Sequence, residues 1–382
     1  MVVSPVAVDS GRCLARWVCL SRAAVEGLRR TYDGLDMGLP YTRRLDGQNA
    51  RCDGHSVRYA LISLLGLAKT SWMAGDQGDL VNSLWRRIAG AKRSHLSAGD
   101  LGLGLWAQAL HGNGCQLFTA HHALRVFLGR RDYCSSIDLA WLLLGADFAF
   151  LAGFDCANAE KLAGETRTAL LALYHPRTNL FYRHARRGPF SSVSRRIACF
   201  ANQSYPIMAL AVHGRYRNCQ ESSRVAADVA DRLCSLQGHL GQWWWLYDVC
   251  TGHVVEQYPV FSVHQDGMAP MALLQTGWVR ERSFAEPIGR GLQWLFGANE
   301  LGQDMVLPHM GLILRDIHRQ RRRRVQRMIH GAAWCCGWRG VPGQLHSSQG
   351  LEAGSECRPY HLGWVLYAAG LALQTETSEA VG

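Results

Sequence analysis

Apolar segments rich in glycine and alanine recur six times along the chain, and amphipathic segments separate them. The apolar segments are residues 55–68, 98–112, 137–153, 199–214, 263–277 and 358–373. Segments between them, such as 160–173, 221–236 and 286–296, carry apolar residues at helical spacing and charges on the opposite face. A helix that is apolar nearly all round belongs inside a protein, whereas a charged stripe faces solvent. The pattern therefore predicts six inner helices alternating with outer helices.

A 62-residue segment is followed by a recognisable copy of itself within residues 171–274. At an offset of 62, Phe181 aligns with Trp243 and Gln203 aligns with Gln265. Each copy reads as a helix, an aromatic-rich turn or hairpin, a polar triplet and an apolar helix, which is typical of helical-repeat proteins. We expect an all-α (α/α)6 toroid with short β-hairpins at one face. An open α-solenoid is the alternative, because repeats look the same whether or not they close.

The ring is predicted to be a single domain of residues 51–375, between an N-terminal segment of residues 1–50 and a tail of residues 376–382. Of the 382 residues, 48% are hydrophobic and 19% are charged, as in a globular protein with a large core. No apolar run approaches the ~18 residues that span a bilayer. The first residues lack the pattern of a signal peptide. We expect a cytoplasmic protein, with a peripheral location at a membrane as the alternative.

Polar residues begin each inner helix, and the hairpins place these ends on one face of the ring, which we call the mouth. The polar residues at these positions are His55, Arg58, Tyr59, Asp100, Asp138, Asn202, Gln203, His264, Gln265, Asp266, Arg358, Tyr360 and His361. Asp100 and Asp138 occupy ordinary helix-cap positions. Asp266 directly follows two other polar residues and precedes an apolar helix, so it is the strongest candidate for chemistry at the mouth.

Three consecutive tryptophans, Trp243, Trp244 and Trp245, precede Tyr247 and Asp248 in the second predicted hairpin. Side chains alternate along a strand, so at least one of the three indoles should face the open side. Flat aromatic rings over a cleft suit sugar rings or apolar ligands. The alternative is that all three fill the space between helix ends. Asp248 and Glu256 in the same hairpin supply further carboxylates, and glycosidic acid–base chemistry uses a pair of these.

The alternating helices, the GQWWWLYD motif and the polar start of the following helix resemble the six-hairpin glycosidase superfamily and its (α/α)6 relatives. These relatives include glycoside hydrolases, polysaccharide lyases and sugar epimerases. Gln237, Gly241 and Trp243 are also similar to the Q-x3-G-x-W turn of squalene-cyclase-like toroids, although the chain lacks a DxDD motif. The resemblance implies a carbohydrate-active protein that acts on or binds a poly- or oligosaccharide.

In such an enzyme, Asp266 would be the acid or base, aided by His264, with Asp248 or Glu256 as its partner. The expected ligand-binding residues are Trp243, Trp244, Trp245, Tyr247, Gln265, Gln203, Asn202, Tyr360, His361, Arg58 and Tyr59. A toroid that binds a terpenoid or another apolar chain is one alternative. A non-catalytic scaffold within a polysaccharide assembly is another.

The formal charge of +11 is unevenly distributed, because residues 315–327 contain seven arginines. These are Arg315, Arg319, Arg321, Arg322, Arg323, Arg324 and Arg327. Such a segment is either a solvated face or a patch for an anionic membrane or an acidic glycan. No nucleic-acid-binding motif accompanies it, so nucleic acid is the least favoured partner. The 13 cysteines and 16 histidines lack metal-ligand spacing, and we predict no metal and no cofactor.

Overall fold

The computed structural model describes residues 10–32, 38–47, 49–70, 77–92, 96–112, 116–188, 191–319 and 350–379. Its α-helices are α1 (Ser10–Tyr32), α2 (Val57–Lys69), α3 (Gly78–Gly90), α4 (Ala98–His111), α5 (Ala120–Arg130), α6 (Ser136–Leu151), α7 (Cys156–Leu171), α8 (Ser191–Arg196), α9 (Ala201–Tyr216), α10 (Gln220–Ser235), α11 (Ala269–Arg280), α12 (Ala285–Leu295) and α13 (Pro359–Glu379). A π-helical turn, His264–Met268, leads into α11. Short 3-10 turns lie at Arg131–Tyr133 and Pro308–Met310.

The strands are short and form small separate sheets. They are β1 (Thr42–Asp46), β2 (Asn49–Asp53), β3 (Tyr174–His175), β4 (Leu180–Phe181), β5 (Ile197–Cys199), β6 (Leu246–Asp248), β7 (Val254–Glu256), β8 (Val260–Phe261), β9 (Val306–Leu307), β10 (Leu312–Ile313), β11 (Asp316–Arg319), β12 (Leu351–Ala353) and β13 (Glu356–Cys357). The sheets have the orders β13-β1-β2, β10-β9, β12-β11-β8, β3-β4 and β5-β6-β7.

Six apolar helices close a ring in the order α2, α4, α6, α9, α11 and α13, and α13 packs back onto α2. They correspond to the six apolar segments of the sequence. The helices α3, α5, α7, α10 and α12 pack outside α2, α4, α6, α9 and α11, and α1 packs outside α13. The predicted (α/α)6 toroid is therefore confirmed, and the open solenoid is excluded. The sixth outer helix, α1, comes from the N-terminal segment that the sequence analysis placed before the ring.

Glycines bring neighbouring inner helices into backbone contact at two places. A Cβ atom at Gly363 of α13 would lie 2.5 Å from the carbonyl oxygen of Ile62 in α2. A Cβ atom at Gly145 of α6 would lie 2.3 Å from the carbonyl oxygen of Gly102 in α4. No side chain fits at either position, so the small residues of the inner helices permit the close packing that a ring requires.

The hairpins and loops before the inner helices lie at the mouth, as expected. Strand β5 precedes α9 and pairs with β6, and the Phe200 amide donates to the Trp245 carbonyl oxygen at 2.9 Å. At α6, the Ser136 amide donates to the Arg183 carbonyl oxygen at 2.9 Å. Asp100 and Asp138 complete capping boxes with Ser97 and Ser135, which confirms their predicted role as caps.

Within the described ranges, no helix combines the length and the apolar content that a membrane span requires. Of the arginine-rich segment, only the first five residues, through Arg319 in β11, belong to the described residues. Arg321, Arg322, Arg323, Arg324 and Arg327 lie outside them. The association of this segment with an anionic membrane or an acidic glycan stays a prediction.

Candidate functional site

Asp266 and His361 form a buried carboxyl–imidazole pair at the starts of two inner helices. The His361 Nε2 atom lies 2.8 Å from Oδ1 and 2.9 Å from Oδ2 of Asp266. Asp266 is 0% exposed and His361 is 2% exposed. Burial raises the pKa of Asp266, and the neighbouring His361 opposes that rise. A carboxyl group that is buried beside an imidazole and has a raised pKa is a candidate acid or base.

The turn that carries Asp266 is a π-helical turn, a feature often found at functional sites. Pro270, two residues past its end, has no N–H group to donate to the helix ladder. The turn therefore departs from regular helix at the position where Asp266 faces the first turn of α13.

His264 lies in the same turn, but its imidazole is held by aromatic rings. Its ring centroid lies 4.6 Å from that of Phe200 and 5.2 Å from that of Phe261. Its Nδ1 atom lies 3.3 Å from the Trp243 carbonyl oxygen. Burial lowers the pKa of His264 to about 3, so the ring is neutral near pH 7. The hydrogen-bonding partner of Asp266 is His361, whereas the sequence analysis expected His264 to aid Asp266 and placed His361 among the ligand-binding residues.

In both copies of the repeat, the aligned glutamine accepts a hydrogen bond from the aligned amide of the hairpin. In the first copy, Gln203 Oε1 accepts from the Phe181 amide at 2.7 Å, and its Nε2 donates to the Phe181 carbonyl oxygen at 2.9 Å. In the second, Gln265 Oε1 accepts from the Trp243 amide at 3.3 Å, and its Nε2 donates to the Phe261 carbonyl oxygen at 3.2 Å. Both side chains are fully buried. The predicted ligand-binding glutamines thus fasten each aromatic hairpin to the inner helix that follows.

Asp248 is fully buried and is held by donors from the end of α8 and from its own hairpin. The Nε and Nη2 atoms of Arg196 each donate to one of its carboxylate oxygens at 2.6 Å. The Cys250 amide and the Thr251 hydroxyl donate to the same carboxylate at 3.0 and 2.8 Å. These donors engage both oxygens of Asp248, which the sequence analysis offered as a partner for Asp266. Glu256, the other predicted partner, is half-buried on β7 and lies opposite Leu246 in the ladder.

The three tryptophans of the hairpin are buried to different extents. Trp243 packs against Phe200 with 5.8 Å between ring centroids, and Trp244 lies 6.3 Å from the Tyr258 ring. Both are nearly inaccessible, whereas Trp245 is only half-buried. Trp245 is therefore the most accessible of the three, and all three precede β6, so the strand alternation assumed in the prediction does not apply to them.

Two further residues predicted to bind ligand, Tyr247 and Asn202, are buried. Asn202 Oδ1 accepts from the Cys199 amide at 3.0 Å, and its Nδ2 donates to the Ser136 hydroxyl at 2.9 Å. The side chain of Asn202 therefore joins the starts of α6 and α9.

Tyrosines and arginines at the starts of α2 and α13 form one sector of the mouth. The ring centroid of Tyr59 lies 4.9 Å from that of Tyr41 and 4.6 Å from that of Tyr360. Arg358 donates to the hydroxyl of Tyr41 at 2.7 Å and to that of Tyr59 at 3.2 Å. Arg58 donates to Asp100 at 2.6 and 3.2 Å. Among the predicted site residues, the structure thus joins Tyr59 with Tyr360 and Asp266 with His361.

Two aromatic residues at the mouth were missed by the sequence analysis. Trp141 lies under the Arg58 guanidinium, 5.2 Å from its Cζ atom, and its ring centroid is 5.1 Å from that of Tyr205. Each follows a polar residue of its helix start by three positions, Trp141 after Asp138 and Tyr205 after Asn202. Residues three apart share a helix face, so this spacing is the signal that could have found them.

Comparisons with solved structures show the fold. An unsaturated glucuronyl hydrolase specific for heparin matches with a TM-score of 0.61 at 11% identity, over 94% of this chain and 98% of that chain. A possible member of glycoside hydrolase family 105 from Salmonella enterica serovar Paratyphi A matches with a TM-score of 0.62 at 10% identity, over 98% and 97%. An α-1,6-mannanase of family GH76 from a Salegentibacter species matches with a TM-score of 0.60 at 11% identity, over 94% and 99%. No family model and no curated protein matches the sequence.

Proposed function

We propose that this chain is a carbohydrate-active enzyme that acts on an oligosaccharide at the mouth of the ring, by hydrolase- or lyase-like chemistry. The observation that carries the proposal is the Asp266–His361 pair at adjacent inner-helix starts. The similarity in fold to a glucuronyl hydrolase and a mannanase supports a sugar as the ligand. Fold alone does not fix activity, so the proposal depends on the site.

In this proposal Asp266 gives or takes the proton and His361 orients it. Burial raises the pKa of the Asp266 carboxyl, and this keeps a proton available at a higher pH than for an exposed aspartate. His361 holds both carboxylate oxygens within hydrogen-bonding distance and thereby fixes their direction. The neutral His264 and the fully bonded Asp248 have structural roles in the same proposal.

Aromatic side chains around the mouth would hold the sugar. Tyr59 and Tyr360 form a half-buried aromatic pair next to His361, and Trp245 is a half-exposed indole on the neighbouring hairpin. Faces of aromatic rings pack against the apolar faces of sugars, and polar groups around them fix orientation.

The chain offers a matched pair of variants for testing the proposal. Asp147, at the other end of the ring, also accepts from an imidazole: His213 Nδ1 lies 2.9 Å from its Oδ2 atom, and Asp147 is 1% exposed. Asp266→Asn should lower kcat by ~10²–10⁴, the usual contribution of a positioned acid or base. Asp147→Asn should leave the kcat of the folded protein unchanged. Turnover would be measured on a panel of neutral and acidic oligosaccharides after thermal-shift screening for binding.

The pH dependence of kcat/KM distinguishes the two roles of Asp266. As a general acid, Asp266 must be protonated, so kcat/KM falls as the pH rises through its raised pKa. As a general base, Asp266 must be ionised, and kcat/KM falls as the pH decreases through that pKa. Equal loss of turnover in both variants, or stabilisation by isoprenoid chains and by no glycan, would contradict the proposal.

A further inference from the structure

The arginines at the mouth fall into two groups that differ in their partners. Arg58, Arg196, Arg315 and Arg358 each form an ion pair with a nearby carboxylate. The loop after β4 and the helix α8 carry a second group: Arg183, Arg186, Arg187 and Arg195. Among the described residues, no carboxylate forms an ion pair with any of these four. We call this second group the arginine rim.

The arginine rim is attached directly to the start of an inner helix. The Arg183 carbonyl oxygen accepts from the amide of Ser136, the first residue of α6, and His184 forms a β-bridge with Ser135. Arg183 is exposed, and its charge acts on the half-buried Cys199 thiol just before α9. The Arg183 amide also donates to the Arg195 carbonyl oxygen at 3.0 Å, which holds the loop and α8 together. The rim therefore borders the mouth between α6 and α9.

Three of the four guanidinium groups of the rim act on a common neighbour, His184. Burial lowers the pKa of His184, and the charges of Arg183, Arg186 and Arg195 lower it further. Three positive charges near one imidazole, none of them ion-paired with a carboxylate in the described part of the chain, produce a local field that attracts anions.

Two tyrosines lie within the rim. Tyr133 is 70% exposed, and the Cζ atom of Arg186 lies 4.9 Å from its ring centroid. The Cζ atom of Arg195 lies 3.5 Å from the ring centroid of Tyr182. An exposed aromatic ring next to unpaired guanidinium groups matches a sugar ring that carries an anionic substituent, because the ring packs on the sugar and the guanidinium binds the anion.

We propose that the arginine rim binds an anionic oligosaccharide, one that bears carboxylate or sulfate groups, and directs it into the mouth. This inference rests on the proposed function, because it names the class of sugar that the mouth receives. A carboxylate and a sulfate group each present two oxygens to which an arginine guanidinium can donate in bidentate fashion.

The test measures Kd by titration calorimetry for three hexasaccharides of equal length: an oligogalacturonide, a chondroitin sulfate and a neutral mannan fragment. We expect both anionic probes to bind the parent about tenfold or more tightly than the neutral probe at low salt. This preference should shrink in ~0.5 M salt, where exposed charges are screened. The oligogalacturonide carries carboxylates alone and the chondroitin sulfate carries both carboxylates and sulfates, so tighter binding of the chondroitin sulfate at equal charge would indicate that the rim prefers sulfate.

A matched pair of triple variants locates the site. Arg183→Gln/Arg186→Gln/Arg187→Gln should lose the preference for anionic probes. Arg215→Gln/Arg224→Gln/Arg280→Gln removes the same charge from a cavity of about 730 Å³ at the other end of the ring, and should keep the preference. The inference is overturned if the parent and the rim variant prefer the anionic probes equally. It is also overturned if only the control variant loses this preference.

Two further outcomes keep this inference apart from the proposed function. If neutral and anionic probes bind the parent equally, the inference fails while the proposed function stands. If no hexasaccharide binds, both fail. A single-stranded oligonucleotide of equal charge that binds the rim more tightly than the anionic sugars also overturns the inference.

Discussion

The two copies of the repeat make the same joint with the hairpin but place different side chains beside it. Gln203 and Gln265 both hold the amide of the residue aligned between the copies, Phe181 in the first and Trp243 in the second. On either side of the glutamine, the first copy has Asn202 and Ser204, and the second has His264 and Asp266. The shared glutamine has a structural role in both copies. Chemistry specific to one copy can therefore arise only at the two flanking positions, which differ.

The difference is greatest at the last position of the triplet. Ser204 is buried, and its hydroxyl has no hydrogen-bond partner among the described residues. Asp266 at the equivalent position faces His361 from α13. A carboxyl group is therefore accommodated in the second copy because the next inner helix supplies an imidazole.

Ser204→Asp should be the most damaging change in this comparison. It places a carboxyl group in the first copy without the imidazole that Asp266 has, and an uncompensated buried charge costs roughly 3–5 kcal/mol. The free energy of unfolding, measured by urea denaturation, should fall by that amount. Ser204→Ala is the control and should have little effect, because the hydroxyl has no partner to lose. If Ser204→Asp were as stable as the parent, a buried carboxyl group at this position of the repeat would not need the imidazole partner that Asp266 has.

Removing the glutamine joint should come next in size. Gln203→Ala leaves the amide and carbonyl groups of Phe181 buried and unbonded, and each such group costs ~1–3 kcal/mol. Gln265→Ala should cost less, because its two hydrogen bonds are longer, at 3.3 and 3.2 Å. Denaturation curves of the two variants show which of them loses more unfolding free energy.

The folded fraction of either variant should keep the glycan affinity of the parent, since neither glutamine has a free polar atom to offer a ligand. Loss of affinity at full stability would restore the ligand-binding role that the sequence analysis gave to Gln203 and Gln265.

The architecture was predictable because hydrophobic periodicity reports burial directly. All six inner helices match apolar segments of the sequence, and Gln203 and Phe181, two positions that the repeat alignment identified in the first copy, are in physical contact. The repeat offset therefore found a real joint, although the residues were interpreted as ligand-binding.

The partners of the candidate site were not predictable in the same way. His361 lies 95 residues after Asp266, and only closure of the ring brings α13 next to α11. Likewise, Arg196 contacts Asp248 because β5 pairs with β6, and no local sequence pattern predicts this pairing. Sequence spacing identifies helix starts, whereas side-chain partners across the ring depend on tertiary packing.

The pH dependence of stability should distinguish His264 from Asn202, the residue at its position in the first copy. An unfolded histidine has a pKa of about 6.5, whereas burial lowers the pKa of His264 to about 3 in the folded chain. Below about pH 6.5 the unfolded chain therefore binds a proton that the folded chain does not. The stabilisation from His264 is complete above about pH 6.5 and is lost as the pH falls toward 3.

His264→Asn makes the second copy resemble the first and should remove this dependence. The comparison is made between about pH 4.5 and 6.0, where the unfolding free energy of the parent should fall as the pH decreases. For each pH unit, this fall should exceed that of His264→Asn by up to about 1.4 kcal/mol. His122→Asn, at an exposed position of α5, should keep the slope of the parent. The raised pKa of Asp266 contributes a slope of opposite sign, because its neutral form is favoured in the folded chain, but it does so in all three proteins. Equal slopes in the parent and His264→Asn would show that His264 takes up its proton in the folded chain, and the assignment of a neutral, structural imidazole would then be wrong.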